Sequence, residues 1–278
     1  MKRVKLPAIR ISEPRPFWGR AQNGAVSRHD REPLPGSEFY DDEAVFERYV
    51  APRRRPSDSP VVTMEMPAFW ATLGDVAGLA ILDLGCGDGA LGERLLARDV
   101  ARYVGVDASR RMVMRAAGRL DRSRASVIHD DLTRYEAPSA GFDLVVSLRA
   151  LHYVADLTAV LRRAADAVRP GGRVVYSHEH PVITSFEARE PDAKRGSWTV
   201  DNYFVPGQRD VAFLGARVLK YHRTVEQHLD AVHDAGLRFT RLSECPPVRE
   251  LFDEDAGEYE RRLRIPLFLL IEACRPEN

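Results

Sequence analysis

The chain has 278 residues, with 41 basic and 41 acidic side chains and a formal net charge of zero. That balance speaks against a dedicated nucleic-acid binder, which carries a basic surplus to displace phosphate counterions. A hydrophobic content of 44% and a charged content of 29% are those of an ordinary globular protein, long enough for one large domain with insertions.

Residues 1–37 are rich in Pro, Arg and Gly without a sustained period and read as an arm. Phe17 and Trp18 offer it a means of docking on the main body or on a second subunit, so a homodimer is one expectation. A helical cap is expected over 38–75. Its first helix spans 37–50, with Ser37 as cap and Phe39, Val45, Phe46, Tyr49 and Val50 on the buried side; a second covers 61–73. From residue 76 short apolar runs alternate with amphipathic stretches. Strands are expected at 79–84, 103–106, 125–128, 142–147 and 173–177, with helices after the first, at 109–120 and at 157–168. Such alternation predicts an α/β fold, a parallel sheet with helices on both faces. Residues 181–221 interrupt it with an irregular, aromatic insert that reads as a lid. Thr224 and Gln227 then form a capping-box pair opening a helix that stops at Gly236. The last strands are expected at 237–242 and 263–273. Cys86, Cys245 and Cys274 offer neither metal spacing nor a disulfide framework, which fits a reducing cytoplasm. The basic N-terminus lacks an apolar signal core, and the run 265–271 is too short to span a bilayer, so neither secretion nor membrane insertion is expected.

The chemistry concentrates in Ile81-Leu-Asp-Leu-Gly-Cys-Gly-Asp-Gly-Ala-Leu-Gly92. Gly85, Gly87 and Gly89 stand where a strand turns into a helix, and lacking β-carbons they let the backbone approach a ligand. Gly87, Gly89 and Gly92 also spell a dinucleotide-binding pattern. The context argues otherwise: Asp83, just before the glycines, repels a pyrophosphate and suits a cationic amino-acid end. Asp107 closes the second strand, where a carboxylate can accept from both hydroxyls of a ribose. Asp130 and Asp131 follow the third strand at the height of an adenine amino group. Arg169-Pro-Gly-Gly172 turns into the fifth.

This ordered set resembles the class I S-adenosylmethionine-dependent methyltransferases over about residues 79–180, and more weakly to the C-terminus. The resemblance implies a Rossmann-like, mostly parallel seven-stranded sheet whose last strand is antiparallel, within a domain covering 76–278. It implies S-adenosyl-L-methionine as cofactor and S-adenosyl-L-homocysteine as product. It places Gly85, Cys86 and Gly87 along the methionine part, Asp83 at its amino group, Asp107 at the ribose, and Ala108 and Met112 near the adenine. Asp130 and the backbone of Asp131 face the adenine edge, while Ser147 and Leu148 pass under the sulfonium. Small-molecule members close an N-terminal tyrosine over the cofactor; Tyr40 and Tyr49 are the candidates here. One of Arg53, Arg54 and Arg55, with Arg55 the leading candidate, can hold the methionine carboxylate.

Methyl transfer needs alignment first and a base second. His152, after the fourth strand, is the first candidate base, and His222, in Tyr221-His-Arg-Thr224, the second. Tyr153 offers packing or a hydrogen bond. His178 and His180 fall on one face of the fifth strand; with no third ligand at metal spacing, substrate contact or lid anchoring is preferred and no metal is expected. Trp198 and Tyr203 of the insert can stack on a substrate or form the lid core. The reading is N- or O-methylation of a small molecule, such as a bacterial secondary metabolite, without nucleic-acid or membrane partners. An RNA or protein methyltransferase and a non-catalytic cofactor-binding regulator remain alternatives.

Overall fold

The computed structural model describes residues 32–51, 55–186, 197–252 and 255–277, so Phe17, Trp18, Arg53 and Arg54 lie outside the described residues. In the cap, α1 (Gly36–Phe39) and α2 (Glu43–Val50) are separate, where one helix was expected. The break is local: Asp42 is extended and its side chain accepts the Val45 amide at 3.1 Å, starting a new helix. The second expected helix is present over 61–73: a π-helical segment at Val61–Glu65 runs without a break into α3 (Met66–Leu73).

The next elements follow the expected alternation closely. They are β1 (Ala80–Leu84), α4 (Ala90–Leu96), β2 (Arg102–Asp107), α5 (Arg110–Arg119), β3 (Ala125–His129), β4 (Phe142–Leu148), α6 (Leu157–Ala167) and β5 (Val168–Glu179). β5 starts earlier than expected because the Pro-Gly-Gly segment stays in the strand, with a register shift against β4. The insert is more regular than expected. After α7 (Pro181–Thr184), β6 (Gly207–Phe213) and β7 (Ala216–His222) form an antiparallel hairpin. The capping box of Thr224 and Gln227 opens α8 (Val225–Asp234), followed by β8 (Arg238–Ser243). Residues 256–263 are helical, α9 (Ala256–Leu263), so the last strand is the shorter β9 (Phe268–Cys274).

The main sheet has seven strands in the order β3-β2-β1-β4-β5-β9-β8, all parallel except β9, which is antiparallel to both neighbours. This is the Rossmann-like arrangement. Alternate residues enter two cores: Leu82, Val145, Val174 and Ile271 pack on one face, Ile81, Leu144, Val175 and Leu270 on the other. A third, smaller core joins Phe39 and Val45 of the cap to Val218 of the hairpin. Leu34 extends the union: its amide donates to Arg217 O and its carbonyl accepts from Leu219 N. Cap and hairpin are thus one roof on the carboxyl edge of the sheet. No described helix is long and apolar enough to cross a membrane.

Candidate active site

The glycine loop leaves β1 with Gly85 at φ +80° and Gly87 at φ +54°, conformations that L side chains rarely adopt. A β-carbon on Gly85 would stand 2.1 Å from Cβ of Ala150. The loop is fastened to the end of β2: the Gly85 and Cys86 amides donate to Val106 O, and the Gly87 amide donates to Asp107 Oδ2 at 2.8 Å. Asp107 Oδ1 accepts from the Ser109 amide at 2.9 Å. Burial pushes the Asp107 carboxyl above its ordinary range. Asp83 is wholly buried below the loop and accepts from the Tyr103 hydroxyl at 2.7 Å. Burial also pushes the Cys86 thiol well up and keeps it protonated.

Ala108 O accepts from His129 Nε2 at 2.9 Å, and Met112 is buried in the first turn of α5. Asp130 Oδ1 accepts from the Asp131 amide and from Arg134 Nε, whose bond holds this carboxyl below its usual range. Asp131 Oδ1 accepts from the amide and hydroxyl of Thr133, which leaves the Asp131 backbone at the end of β3. Ser147 Oγ donates to Leu84 O at 2.6 Å and ties β4 to β1, with Leu148 as the last residue of β4.

The roof closes directly over these residues. Asp41 accepts from Ser109 Oγ at 2.7 Å and from the Arg111 amide, fixing the cap beside Asp107. The Tyr49 hydroxyl lies 3.6 Å from where a β-carbon on Gly87 would stand and is hydrogen-bonded to Arg149. The Tyr40 and Tyr153 hydroxyls are 2.9 Å apart. Burial pushes all three phenols up, so they stay protonated. Arg55 is exposed and pairs with Asp58 at 3.1 Å and Asp255 at 3.7 Å, which directs it toward α9.

On the acceptor side, His152 is buried in a short turn after β4, and both its ring nitrogens lack a partner among the described residues. Burial drives its imidazole down to about 3, so the ring is neutral. His178 lies beside it, ring centroids 5.5 Å apart, and His228 stands 4.5 Å beyond. His222 is set differently. Its Nδ1 lies 2.7 Å from Thr184 Oγ1 and its Nε2 donates to Tyr203 O at 2.8 Å, so both nitrogens serve the insert. His180 accepts the Val182 amide as helix cap and meets Glu244 at 3.0 Å, a lid anchor. Trp198 stacks near Arg264 and Arg261, toward α9 and apart from the histidines. Tyr203 packs against His222 and Phe204.

Four residues absent from the sequence reading complete the site. Lys220 Nζ donates to Glu179 Oε1 at 2.6 Å, nearly out of solvent, and stands 4.8 Å from the Phe213 ring and 5.9 Å from the Tyr153 ring. Burial opposes ionisation of Glu179, but the Lys220 ammonium prevails and takes its carboxyl down to about 2. Arg149, at φ +54°, pairs with the buried Glu65, whose other oxygen accepts from Ser177 Oγ at 2.5 Å. One signal was present: a lysine in an arginine-dominated chain. Glu65 gave none, because a π-turn sets its direction.

A methyltransferase-domain profile matches residues 81–172. The crystal structure of an S-adenosylmethionine-dependent methyltransferase from Mesorhizobium loti is 34% identical, with a TM-score of 0.69; the match covers 76% of this chain and 97% of that one. A protein of Haemophilus influenzae is 26% identical over 86% of this chain and 97% of its own length. A ubiquinone biosynthesis O-methyltransferase of Azorhizobium caulinodans is 34% identical over 52% of this chain, which spans 60% of that relative. The site fits the cofactor of this group: Asp107 faces a glycine cradle that side chains would fill, and Asp83 is a buried acid with no cation beside it among the described residues. The glycine loop, the carboxylate at the end of β2, the sheet order with its antiparallel β9 and the Mesorhizobium match together make the chain a member of the class I S-adenosylmethionine-dependent methyltransferases.

Proposed function

We propose that this methyltransferase acts on a small molecule, at a hydroxyl oxygen or an amine nitrogen, with bacterial secondary metabolites as the substrate class. The observation that carries this reading is His152: a neutral, buried imidazole in the turn after β4 with both nitrogens unpartnered among the described residues, beneath a roof of cap and hairpin. A roof drawn over the sheet edge suits a compact acceptor rather than a macromolecule. The O-methyltransferase named among the relatives favours the same class.

The cofactor supplies an electrophilic methyl group. Asp107 and the backbone at Asp131 bind its nucleoside, the loop of Gly85, Cys86 and Gly87 lies along its methionine part, and Tyr40 and Tyr49 cover it. Arg149, bonded to Tyr49 above Gly87, offers its remaining N–H groups to the carboxylate, the role first sought at Arg55. His152, neutral beforehand, takes the proton released by the acceptor; burial and the cations of Lys220, Arg149 and Arg223 oppose the protonated ring, the ionised Glu179 favours it, and the proton passes on to solvent. Tyr153 and His178 line the acceptor side. His222, His180, Trp198 and Tyr203 hold the insert closed. The free, buried cysteines agree with a cytoplasmic setting.

The test is incubation with S-adenosylmethionine and a panel of phenols, enols and amines, with total RNA and a protein extract alongside. Methylated small molecule, identified by mass, with stoichiometric S-adenosylhomocysteine is the expected result. Methyl transfer confined to RNA or protein, or to nothing in any arm, would overturn it.

A further inference from the structure

Below the glycine loop lies a polar pair that the reaction does not use directly. Tyr103 of β2 and Asp83 of β1 are both wholly buried, and the phenol donates to Asp83 Oδ2 at 2.7 Å. The register makes this possible: Asp83 lies opposite Gly105, and Tyr103 is two residues earlier on the same face of β2. Two glycines make room for the ring. A β-carbon on Gly92 of α4 would stand 2.6 Å from the Tyr103 ring carbon that bears the hydroxyl, and one on Gly105 3.1 Å from the ring edge.

The charge around Asp83 is one-sided. The titratable groups bearing on it are Tyr103 and Asp107 of β2 and the Cys86 thiol of the loop. Around them β4 contributes Leu144 and Val146, and α4 contributes Leu95 and Leu96, all apolar. Oδ1 makes no hydrogen bond within the described residues, and no cation pairs with the group. A carboxylate so placed is poorly stabilised until a cation arrives. The cofactor carries one, the ammonium of its amino-acid end.

We propose that the apolar, cation-free setting beneath the glycine loop holds Asp83 as a protonated acid, that Tyr103 is a positioning residue which orients its carboxyl and eases its ionisation, and that the amino-acid end of the cofactor converts it to the carboxylate, releasing one proton to solvent. The balance is simple. The Asp83 O–H bond breaks, its proton goes to water, and the carboxylate left behind pairs with an ammonium that keeps all its protons. Burial raising the Asp83 carboxyl to about 7, against the opposing bond from Tyr103, places the exchange near neutrality.

The test is calorimetry of S-adenosylhomocysteine binding from pH 5.5 to 8.5 in buffers of different ionisation heat, with 5′-methylthioadenosine, which lacks the amino-acid end, as second probe. For the unaltered protein, S-adenosylhomocysteine should release close to one proton at pH 6 and little above pH 8. Its affinity should rise roughly tenfold per pH unit below the midpoint and then level off. Methylthioadenosine should show neither effect. Tyr103→Phe should move the midpoint to higher pH and weaken S-adenosylhomocysteine at pH 7, with methylthioadenosine affinity within about twofold of its original value. Asp83→Asn should abolish the release. Absence of release in the unaltered protein, an unmoved midpoint in Tyr103→Phe, or equal weakening of both probes would overturn the proposal. None of these readouts depends on the acceptor.

Discussion

The ammonium of Lys220 and the carboxylate of Glu179 meet at 2.6 Å and join the hairpin of the insert to the end of β5. The pair is a staple between roof and sheet, beside the Tyr153 ring. Lys220→Met leaves a largely buried carboxylate without its partner, and breaking such a pair costs about 3–5 kcal/mol. Lys220→Met combined with Glu179→Leu should regain most of that loss, because neither charge is then stranded. Urea denaturation of the three proteins at pH 7 measures both. The pH dependence has a definite sign. The folded Glu179 carboxyl lies below its ordinary value of 4.5, so its stabilisation is complete above that value and is lost as pH falls toward about 2. The Glu179→Leu variant should lack this part of the acid-side decline.

The βα alternation, the glycine loop and the acidic residues at 83, 107 and 130 were legible in the sequence, because each depends on local spacing. What was not legible depends on contacts across the chain. Residues 37–50 have helical spacing, yet Asp42 caps a second helix while Asp41 is taken by Ser109 and Arg111. In the insert, β6 and β7 are held by Leu34 of the arm and Phe39 of the cap, more than 170 residues earlier, which a local reading cannot see. His222 stood next to a helix cap, as a pocket residue would, but its orientation is set by Thr184 and Tyr203 from other parts of the insert.

Asp107 fastens the glycine loop and is the residue proposed to hold the ribose. Asp107→Ala removes the acceptor of the Gly87 and Ser109 amides as well as the charged acceptor for two hydroxyls. Hydrogen bonds to a charged group contribute about 1.5–3 kcal/mol each. S-adenosylhomocysteine affinity is therefore expected to fall by at least tenfold, read by calorimetry at pH 7.5. Retained affinity would remove Asp107 from the ribose site.

His152 and His222 should separate in two assays. His152→Gln is expected to keep S-adenosylhomocysteine affinity within about twofold and to lower turnover by about 10²–10⁴-fold, the usual range for a general base. His222→Ala leaves Thr184 Oγ1 and Tyr203 O without their partner, a loss of about 1–3 kcal/mol in stability. Its turnover should fall less than that of His152→Gln. The reverse ranking, in thermal unfolding and single-turnover rates, would exchange the two roles.

Arg149 is the group to which the cofactor carboxylate is assigned, and it also neutralises Glu65, which no solvent reaches. A single Arg149→Met exchange mixes the two effects, since a stranded buried charge destabilises by about 3–5 kcal/mol. The double variant Arg149→Met with Glu65→Leu separates them: an apolar pair of similar volume is expected to fold with stability near that of the original protein. In that double variant S-adenosylhomocysteine should bind at least tenfold more weakly, because a charge-assisted contact to its carboxylate is lost. Methylthioadenosine, which has no carboxylate, should bind unchanged. If both ligands weaken alike, Arg149 acts only through the loop and through Tyr49, and the carboxylate must be held elsewhere.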